Sequence, residues 1–202
     1  MTWYGLAAML DETRLYPKLL GAAWREVAPA VRRAHTDDLL THAEGVFQVS
    51  RARGRLLGRL LDVVQLPRSS TAAPVRLTVR HRGLVERWHR TFDGRSLATV
   101  QSAAPGGLMA ERAGVLEILS RVHVRDGVLV YRHVGLVLRL GRLRVPLPDW
   151  LSIKVAGREG PADPGDDPRP HTQVDVRVTG PTGGLLFAYR GTVRWCSGDE
   201  RG

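Results

Sequence analysis

The chain has 202 residues, of which 43% are hydrophobic and 25% charged, so it can build a core and is not composed like a disordered chain. Its formal net charge is +10, yet only Lys18 and Lys154 are lysines, and the arginines alternate with apolar residues in "VRLTVRHR" and "LRLGRLRV". That is the pattern of a sheet with a basic solvated face, and it disfavours nucleic acid as the partner.

Residues 11–40 read as helical. "DETRLYPKLLGAAWREV" opens on acidic residues and places Leu15, Leu19, Leu20, Ala23, Trp24 and Val27 at helical spacing. Pro17 fits a first turn, and Pro29 divides this helix from a second, "APAVRRAH". After Gly45, "VFQVSRA" is a short strand. "GRLLGRLLDVVQL" sets Leu56, Leu57, Leu60, Leu61 and Val64 on one stripe beside Arg55 and Arg59. This piece reads as a helix closing the end of a sheet, or else as a membrane-surface segment.

From residue 75 the period becomes two: Val75, Leu77 and Val79 oppose Arg76, Thr78 and Arg80. Turns are expected at Gly83, at "DGRS", at "APGG", at Gly114 and at Asp126-Gly127, where positive φ is required. "VGLVLRLGRLRVPLPDWL" continues extended until its prolines. "GREGPADPGDDPRPH", residues 157–171, reads as a mobile loop, and "TQVDVRVTG" and "LLFAYRGTVRW" are two last strands around "PTGG".

The expectation is one α+β domain over 1–202, mainly β, with a helical part at 11–66 and a sheet at 75–195. Its antiparallel meander is long enough to curl into a barrel-like sheet, with the N-terminal helices covering one end.

Cys196 is the only cysteine, which excludes an intrachain disulfide and a cysteine zinc site. No stretch reaches the roughly 20 apolar residues of a membrane span. "MTWYGLAAMLDETR" lacks the basic start and apolar run of a secretion signal, so a cytoplasmic location is expected. There is no phosphate loop, dinucleotide fingerprint, HExxH or GxSxG, and the seven histidines show no ligand spacing; no cofactor and no metal are expected.

The informative stretch is "VERWHRTF". As a strand it turns Glu86, Trp88, Arg90 and Phe92 to one face. The aromatics make that face the inner one, so Arg90 goes inside and needs a partner, either Glu86 on its own strand or Glu111 in "LMAER". Two readings stand: an Arg–Glu pair that fixes register or closes a barrel end, and a charge pair lining a cavity. Tyr131 and His133 share a face, as do Phe187, Tyr189, Val193 and Trp195; they could donate hydrogen bonds or move protons there, or serve simply as core.

These residues also carry a resemblance. "RLYPKLLGAAWREVAPAVRRAH", "ERWHRTFDGR", "LMAER", "VPLPDWL" and "LLFAYRGTVRW" resemble, in order and spacing, the successive blocks of the bacterial DUF4166 family, which has no assigned general function. The family's E-R-W-x-R-x-F pattern falls on Glu86, Arg87, Trp88, Arg90 and Phe92. Its V-E-R-F-G block falls on "AERAG", keeping Glu111 and Arg112 but replacing the aromatic by Ala113. Its Y-R-G falls on Tyr189, Arg190 and Gly191. The acidic loop 161–168 looks peculiar to this chain. In the family the domain stands alone or follows an NAD(P)-binding dehydrogenase-like domain, which is missing here, so a dehydrogenase role does not carry over.

The expected function is binding of a small apolar or polyketide-like molecule, with cofactor-independent cyclisation, isomerisation or dehydration in bacterial specialised metabolism. Glu111, Arg90 and Tyr131 would be catalytic, and Glu86, Trp88, Phe92, His133, Phe187 and Tyr189 would bind the ligand. The rival is a non-catalytic lipid- or metabolite-binding module, or an accessory partner of a separate reductase. The oligomeric state is left open.

Overall fold

The computed structural model describes residues 14–36, 40–54, 59, 62, 66–165, 167 and 169–196. Three short helical pieces come first: α1 (Leu15–Leu20), a 3-10 segment (Gly21–Glu26) and α2 (Pro29–Thr36). Pro29 opens α2, where its missing N–H costs nothing. Eleven strands follow: β1 (Leu40–Arg51), β2 (Ser70–Arg82), β3 (Val85–Phe92), β4 (Arg95–Ala104), β5 (Leu108–Ala113) and β6 (Leu116–Arg125), then β7 (Val128–Leu140), β8 (Leu143–Leu147), β9 (Lys154–Pro161), β10 (His171–Thr179) and β11 (Leu185–Cys196).

All pairings are antiparallel. β1 to β7 form a meander, β9 takes the next place on β7, and β10, β11 and β1 complete the ring. The result is a closed ten-stranded barrel with one extra strand, β8, folded back on the distal half of β7. Closure leaves few backbone edges unpaired. The turns obey the residue chemistry: Asp93-Gly94 and Asp126-Gly127 both adopt positive φ at both positions (45° and 80°, 52° and 78°), as a tight hairpin demands.

Two glycines permit the close approach of β1 and β11. A Cβ on Gly45 would run into the Thr192 carbonyl, and one on Gly191 into the Val46 carbonyl and the Phe47 ring.

Alternation sorts the strands into two faces. Val75, Leu77, Val79, Trp88, Phe92, Phe187, Tyr189, Val193 and Trp195 point inward and are buried together. Arg80, Arg87, Arg112, Arg121, Arg132 and Arg158 point outward and are exposed. A barrel wall facing lipid would carry an apolar band there. Among the described residues no helix is long and apolar enough to cross a membrane.

The helices cover the end of the barrel that carries the β6–β7 turn, where the Ala28 amide donates to the Gly127 carbonyl at 2.9 Å. Leu15, Tyr16, Trp24, Val27 and Val31 pack there on Met109, Val122 and Leu129.

Two expectations are corrected. The helical part 11–66 is interrupted by β1, a 12-residue strand that begins before Gly45; the helix expected over 54–66 lies outside the described residues except for Gly54, Arg59, Asp62 and Leu66. The loop expected over 157–171 is a strand as far as Pro161, because β9 pairs with both β7 and β10 through Glu159. Its glycines mislead: Gly157 lies under the Tyr131 ring, and Gly160 faces the Val128 side chain. Small residues there allow close packing and do not signal a turn.

Candidate functional site

The interior carries polar groups in two tiers. The tier beneath the helices is sealed. In α2, Val31, Ala34 and His35 form the buried stripe, at i, i+3 and i+4. That spacing drives His35 into the barrel, where it is 0% exposed between two carboxylates. Its Nδ1 lies 3.3 Å from Glu86 Oε2, and its Nε2 lies 3.3 Å from Glu159 Oε2. Burial alone would lower the imidazole's pKa, but the charges of Glu159 and Glu86 overcome it and raise it to about 10. Both ring nitrogens therefore carry protons and donate. Glu86 also accepts from the Trp88 indole N–H at 3.0 Å, and His81 Nδ1 lies 3.3 Å from its other oxygen. Burial pushes Glu86 up, yet His35 and His81 hold it at about 2.

Beside this triad, the Tyr16 ring packs on His35 with centroids 3.8 Å apart. Its hydroxyl donates to Gln101 Oε1 at 2.9 Å and lies 3.0 Å from the Tyr131 hydroxyl. With the Tyr16 proton committed to Gln101, Tyr131 donates to Tyr16. Burial, reinforced by neighbouring charges, raises both hydroxyls well above the ordinary tyrosine value, so both keep their protons.

The second tier opens toward the end away from the helices. On that side the inward Leu97, Glu111, Ala113, Tyr131, His133 and Val176 keep part of their surface accessible, whereas Gln101, Met109, Leu129 and Glu159, nearer the helices, are buried. Arg90 sits on this tier, one inward position beyond Trp88. Its guanidinium lies 4.8 Å from the Trp88 ring centroid and donates to Thr99 Oγ1 at 2.9 Å. Its other terminal nitrogen is 3.9 Å from Glu111 Oε1, too long for a hydrogen bond, with the two side chains 12% and 21% exposed. Tyr189 is close by; burial raises its pKa although Arg90 opposes the shift, and its hydroxyl has no hydrogen-bond partner among the described residues.

Of the residues expected from the sequence, Arg90 and Glu111 face each other on this tier with the buried Tyr189 close to Arg90, while the Tyr131 hydroxyl reaches Tyr16 at the edge of the sealed tier. Glu86 is not Arg90's partner; the histidines and Trp88 occupy it. Phe92 and Phe187 are buried, packing on Tyr189 with ring centroids 5.4 and 5.7 Å away, so they shape the wall behind it. His133 lies 3.4 Å from Ser152 Oγ, its Nδ1 is buried without a partner, and burial lowers its pKa. No described contact joins it to Arg90 or Glu111.

Sequence reasoning missed His35, Glu159, Tyr16, Gln101 and Thr99. The signal for His35 was present, since it falls on the same helical stripe as Val31. Two concavities on the described surface, one at Glu44, His171 and Arg194 and the other beside Phe92 and Arg95, lie apart from this group.

Fold and site define a closed antiparallel β-barrel with a helical cover and an ionisable interior, partly open to solvent. The chain belongs to the DUF4166 family, a domain of unknown function, whose model matches residues 27–193. No curated protein matches the chain. Among solved structures, GphF Dehydratase 1 is 12% identical over 87% of this chain and 84% of its own, with a TM-score of 0.18, too low to carry an argument.

Proposed function

We propose that the barrel interior takes up a small, largely apolar molecule bearing a carbonyl or carboxylate and rearranges it without a cofactor, by cyclisation, isomerisation or dehydration. The observation that carries this reading is the loose Arg90–Glu111 pair, 3.9 Å apart and part-exposed on the inner wall. A structural ion pair would close to hydrogen-bond distance; this one does not, so the Arg90 nitrogen facing Glu111 would be available to a ligand oxygen. Arg90, braced by Thr99 and Trp88, would receive the carbonyl or carboxylate oxygen. Tyr189, protonated and unpartnered, would donate to the same oxygen. Glu111 is the base, because Glu86 and Glu159 are tied to His35 and the tyrosines keep their protons. Tyr131 presents an acceptor oxygen. The aromatic wall of Trp88, Phe92 and Phe187 would hold the carbon skeleton in a folded conformer.

A non-catalytic carrier is the second reading, favoured by Glu111 being the one carboxylate on this tier among the described residues, since binding needs only Arg90.

Tryptophan fluorescence with 2,4-decadienoic acid and its methyl ester tests the proposal. Both should quench saturably, and less so in Trp88→Phe. Arg90→Met should weaken the acid about tenfold more than the ester, because only the acid forms a charge-assisted hydrogen bond. Equal losses for the two compounds, or no response, would remove Arg90 from the ligand. Glu111→Gln should retain binding and abolish product formation if turnover occurs.

A further inference from the structure

Apolar side chains stand in solvent at the end of the barrel that opens. Leu140 and Leu143 at the tip of the β7–β8 hairpin are 54% and 59% exposed, Trp150 and Leu151 in the following turn 75% and 50%, and Val115 on the neighbouring β5–β6 turn 54%. They flank the mouth at two depths: the Val115 carbonyl accepts from the Arg139 amide at 2.8 Å beside the tip, whereas β8 returns until Leu147 pairs with Leu136, so Trp150 and Leu151 lie lower on the rim, where the chain leads into β9. Topology puts the rim opposite the helices, since β7 starts at the helical cover and runs away from it.

Charge accompanies the rim. Between residues 139 and 154 there are four cations, Arg139, Arg142, Arg144 and Lys154, and one carboxylate, Asp149. Glu117 holds Arg139 and Arg144. Arg142 and Lys154 have no carboxylate partner among the described residues.

We infer that this rim docks the barrel mouth onto an anionic lipid surface. Leucines on a projecting tip, a tryptophan set back from it and arginine between them suit a bilayer interface, where indole sits at headgroup depth, leucine enters the acyl boundary and arginine meets phosphate. The outward face of the barrel keeps its arginines, so contact is confined to one end and the chain does not span the bilayer. An apolar molecule dissolved in the membrane would reach the interior without crossing water. The docking itself needs none of the interior residues and stands or falls apart from the reading of the site.

Flotation of the full chain with vesicles tests it, using phosphatidylcholine alone or mixed with phosphatidylglycerol, at low and high salt. The chain should float only with phosphatidylglycerol present, less at high salt, with tryptophan emission shifted to the blue. Arg142→Glu should weaken flotation about tenfold. The double variant Trp150→Ser, Leu143→Ser should abolish both flotation and the shift. Arg87→Glu, the same charge change on an exposed residue at the helical end, should leave flotation unchanged. Unaltered far-UV circular dichroism confirms that the variants fold. Absence of flotation with anionic vesicles overturns the inference. So does equal loss in Arg87→Glu, which would make the attraction one of net charge, or undiminished flotation of the double variant. Self-association through Trp150 and Leu143 without flotation would assign the rim to a second copy of the chain and overturn it as well.

Discussion

A carboxylate shut away from water is tolerable only among donors, and Glu86 sits among three nitrogen-bearing rings, those of His35, His81 and Trp88. Removing its charge leaves a buried imidazolium short of a partner. Glu86→Gln should therefore cost about 3–5 kcal/mol in denaturant unfolding. The Arg90–Glu111 pair, longer and part-exposed, should show a coupling of about 1 kcal/mol or less in a double-mutant cycle with Arg90→Met and Glu111→Gln. That contrast separates the sealed tier from the accessible one.

The sealed tier also sets a pH window. His35 keeps its proton to about 10 when folded, against an ordinary histidine value of 6.5, so its stabilisation is full below 6.5 and lost as pH rises toward about 10. Glu86 runs the other way, from an ordinary 4.5 to about 2, so its stabilisation is full above 4.5 and lost as pH falls toward about 2. Unfolding midpoints should be flat between those ordinary values and fall on both sides. His35→Gln should remove the alkaline slope; a slope that persists would assign the loss to other groups.

At the scale of elements, strands were legible wherever alternation or a turn dipeptide marked them. "VERWHRTF" gave the inward face of β3 correctly, Arg90 included, because Trp88 and Phe92 fix the parity. β9 was not legible, because Val155 is the one branched apolar residue on its inward side, followed there by Gly157 and Glu159, which do not read as a buried face. Glu159 is identifiable only once β7 and β10 are seen on either side of it. Tyr131 was legible as inward, but its partner Tyr16 lies 115 residues away, and no local pattern links them.

The β1–β11 contact offers a test at this scale. Gly191→Ala places a methyl against the Val46 carbonyl and the Phe47 ring and should cost about 1–3 kcal/mol. Gly184→Ala, with nothing near its Cβ position, should be close to neutral in the same unfolding experiment. Equal effects would mean that the contact tolerates a wider strand separation.

For the whole molecule, the barrel follows from a meander too long to leave its edges open, and closure brings β1 to β11 and β9 to β7. The helices fill one end and bring His35 into the interior, so the two ends differ: one is buried and ionic, the other accessible and rimmed by apolar side chains. On the proposed function, a ligand enters away from the helices and its acid group reaches Arg90. Crystals grown with 11-bromoundecanoic acid would test this most directly. An anomalous bromine signal is expected inside the barrel, with the carboxylate about 3 Å from the Arg90 guanidinium and close to Tyr189 and Glu111. Bromine found only on the outer surface, with side chains filling the space between Arg90, Glu111 and Tyr189, would contradict it.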